Sequence, residues 1–351
     1  MSKIPLILVC WLTYFSCLAL PAMQNQENDK GMSKISFLLC WLTSSRNNSC
    51  SGTSERPLNY EDCPIEDPVD NGSINSDGTN YLPEASGLAY SRRADGILWT
   101  FNDSGGAAKV FAISEQGHRL ADVTLEGIKN IDWEDITINV EGGVSMVYVA
   151  DMGNNRHDRP VLYIYKFPEP AVTVQCMEPS DQEQGAVLCD RADIEVSADD
   201  IETIEFTWPG FSHDCEALAV DPATGDMLLF SKDYGDDAVS EIYRVPNGSP
   251  GELRVVEYVG QIPHKEVTAG EISPAGDTLA IACYGEGWSY SLPAGQTWVE
   301  YLASDPTPCF LKLAIEDQRE AITVTDTAYW TTSESSNEDG GAVPLWYYAR
   351  N

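Results

Sequence analysis

The sequence is poor in basic residues. Lys and Arg together account for 21 of the 351 residues, against 55 Asp and Glu, and there are 4 histidines. A formal net charge of −34 would repel the phosphates of nucleic acids and of anionic membranes, so we exclude both as partners. An acidic surface of this kind attracts cations, or serves solubility alone.

The motifs of several common enzyme classes are also missing. The chain has no nucleophile elbow, no phosphate-binding Walker loop, and neither the CxxC pairs nor the Cys/His spacing of zinc sites. Any active site must therefore be assembled from residues that lie far apart in the sequence.

Long apolar runs are confined to the N-terminal region. Lys3 precedes an apolar run from Ile4 to Leu20 that ends in small residues, which predicts a secretory signal over residues 1–22. A signal anchor is the alternative, because the run is short for a membrane span. Residues 32–43 nearly repeat residues 1–13, so we interpret 23–78 as a duplicated leader and a flexible linker. We expect a secreted, extracellular protein without stable membrane association.

Cysteines outside the leader region indicate an oxidising compartment and disulfides. By proximity we expect the pairs Cys50 with Cys63 and Cys176 with Cys189, although connectivity cannot be read from a sequence. Glycosylation sequons, which predict a glycoprotein, occur at Asn47, Asn71, Asn102 and Asn247.

Five short stretches read as one structural unit used five times. Each opens with an oxygen-bearing side chain, continues through small and β-branched residues, and is followed by a turn and a second apolar strand. We call the opening residues the strand-start residues: Ser86, Glu134, Glu216, Thr268 and Glu320. A repeat of about 50 residues is typical of β-propeller blades, so we predict an all-β, five-bladed β-propeller over residues 79–351.

Two features of the repeat need a separate explanation. The spacing between Glu134 and Glu216 is long, and the acidic surplus at about 176–198 reads as an insertion or hairpin. The last blade has room for only three strands after Glu320. We therefore expect a strand near Thr79 to Leu82 to complete it, so that the N- and C-terminal strands close the ring.

The order of strands in a blade places certain residues together. The first strand of a blade leaves one opening of the channel and the second strand returns to it. The strand-start residues and the ends of the second strands should therefore surround one opening. The predicted second-strand ends lie at residues 102–106, 151–159, 231–233, 283–286 and 332–334.

A metal ion would reconcile the charges expected at this opening. Three glutamates and two hydroxyls around one axis repel one another unless they are neutralised, and calcium takes oxygen ligands of these kinds. We therefore predict that Ser86, Glu134, Glu216, Thr268 and Glu320 bind calcium. The alternative is that these residues only cap strand ends around a water-filled channel.

Cationic and acidic side chains at the same opening are candidates for catalysis. Arg156, Arg159 and Lys232, with Asn102, could bind a substrate that carries phosphate. Asp103 and Asp151 could position or activate a water molecule, although Asp103 lies in a sequence that also favours a turn. Arg319, His157 and His213 are further charged or titratable groups expected there.

Two family resemblances rest on these motifs. Leu98-Trp-Thr-Phe-Asn-Asp-Ser-Gly, Asp132-Trp-Glu-Asp-Ile and Cys215-Glu-Ala-Leu-Ala-Val-Asp-Pro resemble a widespread family of secreted propellers without an established activity. More distantly, Asn102-Asp-Ser-Gly, Trp133-Glu134 and Tyr148-Val-Ala-Asp-Met-Gly resemble the calcium-activated nucleotidases, or apyrases. That resemblance implies five blades, an axial calcium held by the strand-start residues, and Asp103 and Asp151 near a nucleotide substrate. Of that family's phosphate-binding cations in the middle blades, only Lys232 has a counterpart here.

Three functional hypotheses follow. The leading one is a calcium-dependent phosphohydrolase of the nucleotidase type, acting on a small-molecule substrate such as a nucleotide. The second is a non-catalytic extracellular matrix or ligand-binding propeller with structural calcium. The third is a calcium-dependent esterase or lactonase.

Overall fold

The structure is a computed structural model, and it describes residues 59–76, 78–177, 188–234, 238–316, 318–335 and 341–351. The predicted signal segment, the duplicated leader, Asn47 and Cys50 lie outside these ranges. Every statement below concerns the described residues.

The first two blades are five-stranded sheets. Blade 1 consists, from the inside outwards, of β2 (Ala85–Tyr90), β3 (Ile97–Asn102), β4 (Lys109–Ser114), β5 (Arg119–Leu125) and β11 (Ala192–Val196). Blade 2 consists of β6 (Trp133–Glu141), β7 (Val144–Asp151), β8 (Leu162–Pro168), β12 (Glu202–Thr207) and β16 (Arg254–Val255). Both outermost strands run parallel to their neighbours, and each comes from a later part of the chain. They cover sheet edges that would otherwise be exposed.

The other three blades are four-stranded. Blade 3 consists of β13 (Cys215–Val220), β14 (Met227–Ser231), β15 (Ser240–Val245) and β17 (Glu257–Ile262). Blade 4 consists of β18 (Val267–Ile272), β19 (Thr278–Cys283), β20 (Gly287–Ser291) and β21 (Cys309–Phe310). Blade 5 consists of β22 (Arg319–Val324), β23 (Ala328–Ser333), β24 (Val343–Ala349) and β1 (Val69–Ile74). The protein is therefore a five-bladed β-propeller, as predicted.

The ring closes by antiparallel pairing of β1 with β24, in a register that joins Val69 to Tyr347 and Ile74 to Val343. The closing strand thus lies about ten residues earlier than the predicted Thr79 to Leu82, within the stretch that we had assigned to the linker. The Asp and Asn residues of β1 are typical of linkers, so the sequence did not indicate a strand here. The first residues of β1 are exposed at the outer edge of the ring.

The remaining elements lie between or beside the blades. The insertion contains a hairpin of β9 (Cys176–Met177) and β10 (Leu188–Cys189), followed by β11 and a 3₁₀ turn at Ala198–Asp200. Among the described residues, the α-helix α1 (Trp298–Leu302) begins at a Thr297 capping box and buries Trp298, whose Nε1 donates to the Gly276 carbonyl at 3.1 Å.

The core lies between adjacent blades and around the axis. All six residues of β13, β18 and β22 are buried, because an innermost strand packs on both faces and also lines the axis. Gly87, at φ +65°, allows the innermost strand of blade 1 to approach blade 2 closely, since a Cβ there would lie 2.9 Å from the Ile136 nitrogen.

The part of the chain that the structure describes contains two disulfides. Cys176–Cys189 is the predicted local pair and joins the two strands of the insertion hairpin. The predicted pairing of Cys63 with Cys50 is wrong, because Cys63 is bonded to Cys309, 246 residues away. Proximity in sequence was misleading here: the chain before β1 runs along the outer edge of blade 4, where Asp62 bridges to Phe310. Cys215 and Cys283 are free and buried. Among the described residues, no helix has the length and apolar character needed to cross a bilayer.

Candidate functional site

The strand-start residues occupy equivalent positions in all five blades. In each blade the first paired residue of the innermost strand faces the last residue of the second strand: Ala85 with Asn102, Trp133 with Asp151, Cys215 with Ser231, Val267 with Cys283, and Arg319 with Ser333. The strand-start residue follows directly. The pairing register therefore brings the predicted residues to one face of the propeller, which we call the strand-start face.

A β-bulge marks each strand-start residue. The register shifts around Glu134, Glu216, Thr268 and Glu320, and also after Ser86. A bulge inserts an unpaired residue and redirects its side chain. All five residues are buried. The five positions are thus built alike, but their side chains make different contacts.

The two hydroxyl residues bond to the neighbouring blade. Ser86 Oγ donates to the carbonyl oxygen of Glu134 at 2.9 Å, and Thr268 Oγ1 donates to the carbonyl oxygen of Arg319 at 2.8 Å. Each hydroxyl therefore joins its innermost strand to the next one around the ring. These bonds are structural, and they direct the hydroxyl protons toward backbone oxygens.

Lys232 provides a positive charge among the glutamates. Its Nζ lies 2.5 Å from Glu216 Oε2 and 4.6 Å from the centre of the Tyr284 ring. Burial alone would lower the pKa of Lys232, but the nearby carboxylates of Glu216 and Glu320 outweigh burial and raise it well above its usual value. Burial also raises the pKa of Glu320, to about 8, against the opposing effect of Lys232. Lys232 and Glu216 therefore form a buried ion pair beside the axis.

Glu134 belongs to a different group of carboxylates. Carboxylate oxygens of Asp103, Asp132 and Glu134 all lie within 4.8 Å of one another. We call these three residues the carboxylate cluster. Burial, followed by the negative charge of Asp103, raises the pKa of Asp132 to about 6. Burial and Glu216 raise the pKa of Glu134 well above its usual value. Glu134 is 6% exposed, and its carboxylate accepts no hydrogen bond from the described residues.

The loops that carry the cluster are held in place by the protein. Asn130 Nδ2 donates to the carbonyl oxygens of Asn102 and Asp103, at 2.9 and 2.8 Å. Asn102 in turn donates to the Tyr81 carbonyl at 2.7 Å and accepts from the Glu84 nitrogen. Asn102 therefore holds a turn, and Asp103 is presented from a fixed backbone.

Gly153 forms one wall of the cluster. A Cβ on this residue would overlap Glu134 Oε1 and would lie 2.6 Å from Asp132 Oδ2. Glycine alone therefore leaves these two carboxylates in place. The Gly153 nitrogen also donates to the Asp132 carbonyl at 3.1 Å, which ties the loop after β7 to the loop before β6.

Asp151 and Arg159 lie behind the cluster. Asp151 is fully buried, and its Oδ1 accepts from Arg159 at 2.6 Å and from the Asp132 nitrogen at 3.2 Å. Arg159 also donates to the carbonyls of Gly153 and Asp151. This pair fixes the loop that carries Gly153. Arg156, in the same loop, is exposed.

Other predicted face residues have separate positions. Arg319 is buried and donates to Glu316 at 2.6 Å and to backbone carbonyls of blade 4. His157 and His213 lie near the exposed ring of Phe211. The structure thus brings Asp103 to Glu134, Lys232 to Glu216, and Asp151 to Arg159.

Two more buried carboxylates fill the channel beneath the strand-start face. Asp135 Oδ2 accepts from the nitrogens of Leu218 and Gly270, at 2.8 and 3.0 Å, and so joins blades 2, 3 and 4. Glu271 pairs with Arg92 at 3.0 Å and accepts hydrogen bonds from Thr323 and Val324 in blade 5. Both carboxylates have protein donors, so they belong to the packing that joins the blades around the channel.

The sequence reasoning missed Asp132, Gly153 and Asn130 as site residues. Asp132 stands two residues before a strand-start residue, and Gly153 two residues after the end of a second strand. Their proximity to the predicted positions was the available signal. Side-chain chemistry alone did not select them among many Asp, Asn and Gly residues.

The carboxylates of Asp103, Asp132 and Glu134 provide some of the oxygen ligands that calcium requires. The cluster supplies three carboxylates, one of them buried and without a hydrogen bond from the described residues, and hard oxygen donors of this kind suit calcium. In the full ring of five strand-start residues, Lys232 neutralises Glu216, whereas the Ser86 and Thr268 hydroxyls donate their protons to carbonyl oxygens and keep their oxygen lone pairs.

Known proteins resemble this chain in fold rather than in sequence. No family model matches the chain, and no curated protein matches it. Among solved structures, the chain is similar to a gluconolactonase from Xanthomonas campestris, with 10% identity, 77% of this chain and 88% of that chain covered, and a TM-score of 0.40. The fold assignment therefore rests on the sheet topology given above.

Proposed function

We propose that the protein is a secreted, calcium-dependent hydrolase whose calcium is held by Asp103, Asp132 and Glu134. The observation that carries the proposal is the carboxylate cluster, in which the buried Glu134 carboxylate and two further carboxylates lie within 4.8 Å of one another. Negative charges this close repel one another, and a bound cation removes that repulsion. The two disulfides suit an oxidising, extracellular compartment.

The chemistry follows from these positions. A bound calcium would polarise a substrate carbonyl or phosphoryl oxygen. Asp103, half-buried on a backbone fixed by Asn130, accepts a proton from the attacking water. The water oxygen bonds to the carbonyl carbon, the bond from that carbon to the leaving oxygen breaks, and the leaving oxygen takes up the proton. Asp151 and Arg159 hold the neighbouring loop in position.

The arrangement of cations favours a neutral carboxylic ester or lactone as substrate. Lys232 is paired with Glu216 and buried, Arg159 is bound to Asp151, and Arg319 is buried against Glu316. A phosphate group would therefore meet mostly carboxylates, and the net charge of −34 would oppose its approach. A neutral ester requires only the bound cation and one proton acceptor.

A phosphohydrolase of the nucleotidase type is the second candidate. The observation in its favour is the exposed Arg156, three residues from Gly153 in the loop beside the cluster. If this reading holds, Arg156→Ala should lower turnover of nucleotides and leave turnover of lactones unchanged.

One experiment tests both the metal and the reaction. Calcium binding is measured by titration calorimetry on the wild type, on Glu134→Gln and on the control Glu205→Gln, which changes an exposed glutamate on blade 2. Hydrolysis of lactones, carboxylic esters and nucleoside di- and triphosphates is then followed with calcium and with chelator. We expect calcium binding and calcium-dependent hydrolysis of lactones or esters, both lost in Glu134→Gln only.

Other outcomes separate the alternatives. Calcium-dependent phosphate release would favour the nucleotidase reading. Calcium binding without hydrolysis of any substrate class would favour a ligand-binding or matrix protein with structural calcium. An unchanged calcium titration in Glu134→Gln would contradict the metal site itself.

A further inference from the structure

Phe211 is a large apolar side chain that the fold leaves exposed near the carboxylate cluster. It is 67% exposed, the highest value among the exposed large hydrophobic residues of the described chain. Single exposed apolar residues are common on protein surfaces. The exposure of Phe211 therefore indicates a binding site only in combination with the contacts that hold the ring and with the position of the ring on the propeller.

The ring of Phe211 is held by two histidines. The His157 ring lies 4.8 Å from it, centre to centre, and tilted by 39°, while the His213 ring meets it edge to face at 5.8 Å. His157 Nδ1 is 2.9 Å from the Ser212 carbonyl oxygen. His157 also adopts φ +54°, a left-handed conformation that non-glycine residues seldom occupy. The backbone thus accepts a disfavoured conformation where it places His157 against Phe211.

His213 is fixed in its turn. Its Nδ1 lies 3.1 Å from Glu241 Oε2, and its Nε2 lies 2.8 Å from the Tyr243 hydroxyl. The His213 ring also packs against Tyr243 and Trp208. Phe211 therefore stands at the end of a row of packed rings, and its orientation is set before any ligand arrives.

The position of Phe211 links it to the carboxylate cluster. Phe211 precedes Asp214 by three residues, a span of at most about 10 Å. The Asp214 carboxylate accepts from the Asn154 nitrogen at 2.7 Å, next to Gly153, and its charge acts on Asp132. Phe211 therefore lies in the loop that carries Asp214, and this loop contacts the loop of Gly153 on the strand-start face.

Two more exposed apolar residues lie on this face. Ile131 is 50% exposed just before β6, and Ile315 is 65% exposed in the segment before β22. Both precede a strand-start residue by a few positions. Ile131 directly precedes Asp132 of the cluster, whereas Ile315 belongs to the segment that leads into blade 5.

We infer that Phe211, backed by His157, forms a stacking subsite for a planar aromatic or heteroaromatic ring. The ligand carries this ring on a neutral or cationic framework, since the surrounding acidic residues disfavour an anionic one. The inference deepens the proposed function, because the ring would belong to the substrate whose polar end reaches the cluster. The stacking itself requires no bound cation.

The test measures ring binding separately from calcium. Saturation-transfer NMR is recorded with adenosine, N-acetyltryptophanamide and methyl cyclohexanecarboxylate, in the presence of chelator. Stacking on an aromatic side chain contributes about 1–3 kcal/mol, so Phe211→Ala should weaken binding of the planar compounds about 10-fold or more. Leu253→Ala is the control, because Leu253 is 49% exposed just before the outermost strand of blade 2.

Phe211→Leu and Phe211→Trp complete the series. Leu keeps apolar bulk without a π-face and should weaken binding as Ala does, whereas Trp should preserve it. Equal binding in Phe211→Ala and wild type, or equal binding of the saturated compound, would overturn the inference. So would an absence of binding by every planar compound. Because the chelator is present throughout, each of these results is independent of whether the cluster binds calcium.

Discussion

Lys232 Nζ lies 2.5 Å from Glu216 Oε2, and both side chains are almost completely buried, at 4% and 6% exposure. The ion pair sits beside the axis, where the sequence predicted a metal among five oxygen-bearing side chains. An ammonium group on a protein side chain thus supplies positive charge to all three glutamates, and its direct partner is Glu216. Glu134 also faces Asp103 and Asp132.

Removing this ammonium group should destabilise the fold strongly. Lys232→Met leaves Glu216 buried without its partner, and breaking a buried pair in this way costs about 3–5 kcal/mol. Chemical denaturation with chelator present measures the loss. Lys166→Met is the matched control, because Lys166 pairs with the partly exposed Glu141 and Glu202 and should cost about 1 kcal/mol or less. Adding Glu216→Gln to Lys232→Met should restore part of the stability, and no restoration would contradict the pairing.

Gly153→Ala should damage the cluster directly. The added methyl group would overlap Glu134 Oε1 and crowd Asp132, so at least one carboxylate must move. We expect calcium affinity to fall about 10-fold or more, in line with displacement of one charged ligand. Gly210→Ala is the control, because its Cβ would meet nothing within 4 Å. Equal calcium affinities of Gly153→Ala and Gly210→Ala in calorimetry would contradict a role of Gly153 in the metal site.

Stability without calcium should fall as the pH rises. The folded-state pKa values of Asp132, about 6, and Glu320, about 8, both lie above the unfolded values near 4, so the folded state binds more protons between these limits. Its extra stability is complete below about pH 4 and is lost as the pH rises through 6 to 8. Melting temperatures in chelator should therefore decrease over this range. A rise over the same range would contradict the burial of these carboxyls.

Calcium should reverse this trend. Metal binding requires deprotonated carboxylates, so affinity should increase as Asp132 and Glu134 lose their protons. At a free concentration 100 times the dissociation constant, calcium adds about 2.7 kcal/mol of stability. The calcium-induced rise in melting temperature should thus be larger at pH 8 than at pH 5. An equal rise at both pH values would place the bound ion away from the cluster.

The long-range disulfide should matter more than the local one. Cys63–Cys309 closes a loop of 246 residues and ties the chain before β1 to blade 4. Replacing both cysteines by serine should lower the free energy of unfolding by about 2–5 kcal/mol. The corresponding change at Cys176 and Cys189, only 13 residues apart, should cost less, because the insertion hairpin closes a short loop. Denaturant titration of the two double variants provides the comparison, and a larger loss at the hairpin would contradict this ranking.

The repeat, and with it the fold, could be predicted from the amino-acid sequence. The strand-start residues recur because each blade begins its innermost strand in the same way, and strand order alone then places their positions at one opening. These inferences depend on local periodicity and on the direction of successive strands, both of which a sequence carries. The same reasoning placed Asp103 and Glu134 on one face before any distance was known.

Which side chains meet depends on how the five blades pack together. Lys232 pairs with Glu216 because it follows the end of the second strand of the same blade and folds back beside the axis. Asp132 joins Asp103 because Asn130 and Gly153 draw together loops from two blades. Cys63 reaches Cys309 because the chain before β1 follows the edge of blade 4. Each contact joins residues whose side-chain directions depend on bulges, loops and ring closure, and these are fixed only when all five blades are packed together.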